Sequence, residues 1–170
     1  YGPNYFLLRD TFESFGWNVT TAGTGSSATI CSQFTAVYNG RVYLDENVAN
    51  LNAEDFDAVF LVSSEQWIPN PMGNILQSPD AIALFQQFSE LDKGISTFCQ
   101  GIRVFAQANI INGKTVTGPQ SYYSDCVNRG ATYLTNQNAP VKDGMMVTSR
   151  RARTNSVRIP EKLEKALQGN

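Results

Sequence analysis

A chain of 170 residues with 42% hydrophobic and 16% charged residues suits one domain, spanning 1–170, with enough apolar content to bury a core without metal or disulfide staples. Its net charge of −2, with no concentrated basic run, argues against nucleic acid as the main partner, and no run approaches the roughly 20 apolar residues of a membrane span. Histidine is absent, and the three cysteines, Cys31, Cys99 and Cys126, have no metal-type spacing, so neither a zinc site nor a disulfide framework is expected, and no cofactor.

Phe6, Leu7, Leu8, Phe12 and Phe15 recur at helical spacings and Gly16 follows as a stop, which predicts a first helix. Trp17 to Ala22 reads as a strand and Gly23 to Ser27 as a loop. Asn18-Val19-Thr20 matches a glycosylation sequon, a triplet that is common by chance and matters only in a secreted chain. Two extended pieces, Ala28 to Val37 and Arg41 to Leu44, flank Asn39-Gly40, a strong hairpin dipeptide.

Ala58 to Val62 is an unbroken apolar run, as expected of a strand buried on both faces. Beyond a loop holding Trp67, Pro69 and Pro71, Ser78-Pro79-Asp80 has the form of a helix start, and Ile82, Leu84, Phe85, Phe88 and Leu91 supply its buried stripe. Gly94 to Phe98 is a short β-type run that ends on Cys99-Gln100-Gly101, and a helix begins at once and runs to about Ile111, closed by Asn112-Gly113. Lys114 to Thr117 is a strand, Tyr122 to Arg129 a helix ended by Gly130, and Ala131 to Leu134 another strand. Lys142-Asp143-Gly144 turns into a strand from Met145 to Ser149, and Pro160 to Leu167 is a terminal helix with Pro160 in its first turn. Strands alternating with helices imply a mostly parallel sheet covered on both faces.

Cys99 is the candidate functional atom. Ligands of open α/β sheets bind outside the carboxyl ends of the strands, where this thiol sits, and a helix starting there favours the thiolate. The competing reading is packing, since free cysteine is among the most buried residue types; Cys31 and Cys126 are read that way. The cluster Arg150, Arg151, Arg153 and Arg158 is the one local basic patch and reads first as a solvated or ion-paired face.

Taken together, Asp57 to Leu61, Phe98-Cys99-Gln100-Gly101, Ile111 to Thr117, Asp125 to Tyr133 and Asp143 to Arg150 resemble, in order and spacing, the ThiJ/PfpI family of the class I glutamine amidotransferase-like superfamily. The resemblance covers nearly the whole chain. It implies an α/β flavodoxin-like three-layer sandwich, a nucleophile elbow at Cys99, and assembly into homodimers or larger homo-oligomers. It also implies activities that include hydrolysis or hydration of small aldehydes, chaperone action and thiol-based oxidation sensing. Members begin with a central parallel strand ahead of the first helix, whereas this sequence opens in the loop after it. Residues before Tyr1, or another chain, are therefore expected to supply that strand.

The departures from the family pattern bear on mechanism. The acidic residue that members place beside the cysteine falls near Tyr1 or Asn4, neither of them acidic. The loop that helps form the oxyanion pocket aligns with Val62-Ser63-Ser64, the histidine next to the cysteine corresponds to Gln100, and another histidine falls near Gly118. The expected glycine-rich stretch is Arg151-Ala152-Arg153.

Two functions stay open at this point. In one, the chain keeps the scaffold and a lone thiol for redox response or for binding a small-molecule ligand, with Trp67, Tyr122 and Tyr123 shaping a surface. In the other, Cys99 attacks a small carbonyl or amide, the N–H groups of Gln100 and Ser64 stabilise the oxyanion, and Glu65 accepts the proton. The missing acid and histidine favour the first. Free cysteines and the absence of a signal peptide ahead of Tyr1 point to a cytoplasmic chain.

Overall fold

The computed structural model describes residues 4–25, 27–29, 41–63, 73–151 and 155–169. Its centre is a four-stranded sheet. Strands β5 (Ala58–Leu61), β6 (Gly94–Phe98), β10 (Met146–Ser149) and β9 (Val141–Asp143) lie in that order. β5, β6 and β10 are parallel, with Leu61 opposite Thr97 and Ser149 opposite Phe98, and β9 closes the edge as an antiparallel hairpin partner of β10. Lys142 and Asp143 belong to β9, so the turn expected at Lys142-Asp143-Gly144 is displaced onto Gly144, whose φ is 57°.

Alternation along β6 and β10 divides the core. Ile95 and Met146 face a cluster built on α3 (Pro79–Glu90) and α4 (Ile102–Gln107), with Leu84, Phe85, Phe88, Ile102 and Phe105. Phe98 and Val147 face the other way, against Leu8 and Phe12 of α1 (Asn4–Ser14) and Ile159 and Leu163 of α6 (Arg158–Leu167). The result is three layers, helices on both faces of a parallel-rich sheet.

Local chemistry sets the helix ends. Ser78 caps α3 by accepting from the Ala81 N–H at 3.2 Å, and Pro79 occupies the first turn, where its missing N–H costs nothing. Lys93 donates to the carbonyls of Ala53, Glu54 and Phe56 at 2.9, 2.8 and 2.6 Å, tying the end of α3 to the turn that enters β5. Leu91, expected in the buried stripe, is exposed at the end of α3. The helix expected to reach Ile111 stops at Gln107, because Asn109 turns left-handed (φ 58°) and ends it ahead of Asn112-Gly113.

Short pairs complete the chain: β2 (Ser27–Thr29) with β3 (Arg41–Tyr43) antiparallel, and β7 (Thr115–Val116) with β8 (Thr132–Tyr133) parallel. The Asn39-Gly40 turn lies outside the described residues. Of the strand expected from Trp17 to Ala22, only β1 (Ala22–Gly23) forms a ladder, parallel to β4 (Glu46–Asn47). β5 is less buried than its apolar run implies, with Ala58, Val59 and Phe60 all half-exposed, because it ends the sheet order. Beside it runs a cleft of about 1490 Å³, bounded by residues 17–23 opposite β5, by Leu8 and Phe12 on one face and by Leu84 and Phe88 on the other. It lies between β5 and the β1 segment.

No helix among the described residues is long and apolar enough to cross a membrane.

Candidate functional site

β6 ends in the middle of the sheet, so the residues after it sit at the carboxyl edge of the parallel strands. The chain reverses there within three residues. Phe98 is still extended (φ −132°, ψ 165°), Cys99 is left-handed at φ 51°, and Cys99–Gly101 form a single 3-10 turn that runs into α4. A left-handed side-chain-bearing residue costs roughly 1–2 kcal/mol and persists only where its surroundings over-determine it. Three features do so here. The Thr97 hydroxyl donates 3.0 Å to the Leu61 carbonyl, and the Ser96 hydroxyl 2.9 Å to that of Val147, pinning β6 to both neighbours. Gly101 lies so close to Thr97 that a Cβ there would run into the Thr97 hydroxyl. Gln100, 3% exposed, accepts a hydrogen bond from the Tyr122 hydroxyl at 2.7 Å.

Cys99 itself is half-buried, packed at the margin of the cluster that holds Phe98 and Leu8. Cys126 differs sharply. It is 0% exposed in the core beneath α5 (Tyr123–Asn128), and burial, assisted by the Asp125 charge and opposed by Arg129, pushes its thiol up to about 12. The packing role expected of Cys126 therefore accords with its surroundings, while Cys31 lies outside the described residues.

The second wall of the site is the segment after β7. The Thr117 N–H donates 2.9 Å to the Thr148 hydroxyl of β10, and the Thr117 hydroxyl 2.7 Å to the Leu134 carbonyl. The Tyr133 hydroxyl donates 2.8 Å to the Pro119 carbonyl. Gly118 is enclosed, since a Cβ there would stand 2.8 Å from both Ile102 Cγ2 and the Tyr133 hydroxyl. The position near which the resemblance sets a histidine thus takes a side chain only if Ile102 or Tyr133 shifts. Four residues on, burial raises Tyr122 above the ordinary phenol range, with the Arg103 charge opposing and the Cys99 sulfur adding to the shift. Burial raises Tyr133 as well, with Cys126 adding, Arg150 opposing, and Cys99 and Tyr122 adding in turn.

Of the residues singled out from sequence, Cys99 and Gln100 are adjacent in one turn, and Tyr122, expected only as a surface aromatic, reaches Gln100 directly. Ser64 and Glu65, assigned to the oxyanion pair and the proton acceptor, lie outside the described residues, as do Trp67 and Arg153. Arg103, Tyr133 and Thr97 were missed. Their only sequence signal is polarity or aromaticity beside an element end, because the partners they meet are distant in the chain. The neighbourhood offers a thiol, two phenols and guanidinium groups, which suits nucleophilic or redox chemistry at sulfur. Among the described residues, no cluster of acidic, cysteine or histidine side chains is arranged to hold a metal.

Comparison with known proteins matches residues 4–157 to the model of the DJ-1/PfpI family. A Bacillus subtilis (strain 168) protein named "Putative cysteine protease YraA" is 28% identical over 134 residues, covering 78% of this chain and 69% of that one. Among solved structures, Drosophila melanogaster DJ-1beta superposes with a TM-score of 0.77 at 24% identity, over 100% of this chain and 88% of that one. Glyoxalase III from Candida albicans superposes with a TM-score of 0.75 at 16% identity, over 98% of this chain and 87% of that one.

Proposed function

The chain belongs to the DJ-1/PfpI family, and from that premise we propose that it is a thiol-based member in which Cys99 is the reactive atom of a redox response. The observation that supports this is the contrast between its cysteines. Cys99 is half-buried in a strained turn at the carboxyl edge of the sheet, and Cys126 is sealed in the core. Strained backbone of this kind clusters at functional sites.

The reaction is oxidation by a hydroperoxide. The Cys99 thiolate attacks one peroxide oxygen, an S–O bond forms as the O–O bond breaks, and hydroxide or alkoxide leaves and takes a proton from water. Sulfur loses two electrons, the peroxide gains them, and the product is a sulfenic acid; it condenses with a second thiol to a disulfide, releasing water, and thiol–disulfide exchange with a third thiol frees the Cys99 sulfur.

The test is the rate of Cys99 alkylation by iodoacetamide at neutral pH, with Cys126 followed in the same sample by mass spectrometry, and trapping of sulfenic acid after hydrogen peroxide. Cys99 is expected to react at least about 100-fold faster than Cys126 and to be the trapped site. Equal rates, or no sulfenic acid at Cys99, would overturn the reading.

A second reading, attack of the same sulfur on a small aldehyde or amide, is favoured by what the Bacillus subtilis and Candida albicans relatives are named for. In it the Gln100 and Ser64 N–H groups hold the oxyanion and Glu65 takes the proton. Turnover of methylglyoxal or an activated ester that is lost in Cys99→Ser would favour it over the first.

A further inference from the structure

A side-chain-bearing residue does not stay left-handed without support, and upstream of Cys99 the support is plain: β6 is laddered on both sides, and Thr97 is tied to Leu61. Downstream, the turn runs directly into α4, with Gly101 held close against Thr97. A polar tie from this turn to another element is the bond between Gln100 and Tyr122, made across 22 residues of sequence.

We propose that Tyr122 is a positioning residue for Cys99, acting through Gln100: its hydroxyl, 2.7 Å from Gln100 Oε1, fixes the turn that presents the sulfur. The inference rests on the reading of Cys99 as the reactive atom and adds the residue that sets its geometry.

Tyr122 is itself held firmly enough to do this. Its N–H closes a turn onto the Pro119 carbonyl at 3.0 Å. Pro119 is anchored by Tyr133, and Thr117 is anchored by Thr148 of β10 and by Leu134 of the β8 segment. A brace therefore runs from β10, through the 117–122 segment, to the residue after the cysteine, and both ends of it start from the same sheet edge. Gln100 is nearly sealed from solvent, so its carbonyl oxygen has no ready substitute for the phenol donor, and loss of that donor favours rotation of the amide or relaxation of the turn. Gln100 directly follows Cys99 in the same turn, which places the brace at the sulfur and not at a remote surface.

The experiment compares Tyr122→Phe, Gln100→Met and the double variant with the parent chain, using the pH profile of iodoacetamide alkylation of Cys99 and the rate at Cys126 as an internal measure of global opening. Each single change is expected to slow Cys99 about tenfold with Cys126 unaltered, and the double variant to be no slower than either, because the two residues act as one unit. Tyr43→Phe, removing a phenol on the exposed β3, should match the parent. Parental rate and pH profile in Tyr122→Phe would overturn the proposal, as would single effects that multiply in the double variant, or a change at Cys126 that tracks the change at Cys99. If Tyr122→Phe does not fold, Gln100→Met carries the same test from the other side of the bond. A parent chain in which Cys99 reacts no faster than Cys126 overturns the underlying reading and the brace together, whereas a reactive Cys99 indifferent to Tyr122 overturns the brace alone.

Discussion

Gly101→Ala places one methyl group at the tightest contact of the elbow. The new Cβ would collide with the Thr97 hydroxyl and stand 3.0 and 3.3 Å from Thr97 Cβ and Cγ2. Thr97 is 0% exposed, between β5 and β10, so it has nowhere to turn without giving up its bond to the Leu61 carbonyl. Overpacking a buried site costs about 1–3 kcal/mol and stranding a buried hydroxyl and carbonyl about 1–3 more. Against this, Gly101 has ordinary helical dihedrals (φ −59°, ψ −24°), so alanine recovers up to about 1 kcal/mol of backbone entropy. The steric effect wins, leaving a net loss of about 3 kcal/mol, or about 6–12 °C in Tm for a domain of this size. Urea and thermal denaturation give the stability, and alkylation of Cys99 in the same preparation reports whether the turn has moved. The double variant Thr97→Ala, Gly101→Ala should lose less than the sum of the two single changes, because removing the hydroxyl opens the space the methyl needs. A Gly101→Ala chain as stable as the parent, with parental Cys99 reactivity, would refute the claim that this contact shapes the site.

Lys93→Met should cost about 2 kcal/mol in urea denaturation, since it strips three carbonyls of one charged donor, while leaving Cys99 alkylation at the parental rate. The alkaline limb of stability carries a signature of Cys126. Burial raises its folded thiol to about 12 from the ordinary 9.0, so between those pH values the unfolded chain releases a proton that the folded chain retains. Stability therefore falls as pH rises through that window, by at most about 1.4 kcal/mol per pH unit for one group. Cys126→Ala should be less stable than the parent at neutral pH and lose less than the parent above pH 9, and identical slopes for the two chains would contradict the assignment.

The order of elements was legible because it is written in local chemistry. Ser78-Pro79 announces the start of α3, the run from Gly94 to Cys99 announces a buried strand and an elbow, and Gly130 (φ 83°) ends α5 as expected. What sequence missed was decided at a distance. Asn109 stops α4 two residues after Gln107, although Asn112-Gly113 carries the stronger breaker signal. β5 has the composition of a doubly covered strand, yet its exposure depends on what lies across the cleft. At the site, Cys99 stood out by its context, but the partnership of Gln100 with Tyr122 has no periodicity to betray it. Neither do the bonds that tie Thr117 to Thr148 and Tyr133 to Pro119, since each joins residues brought together only by the crossover connections of the sheet.

The enclosure of Gly118 bears on any attempt to build a histidine there. An open glycine position accepts a side chain in a single step, but here the volume is occupied by Ile102 and by the Tyr133 hydroxyl, which is committed to Pro119. Introducing an imidazole would first require a smaller residue at 102 and loss of the Tyr133 anchor, each damaging alone and neither rewarding until all are made. The three positions are coupled, so a histidine placed at 118 alone meets its whole steric cost. A designer seeking one would have to replace the three positions together.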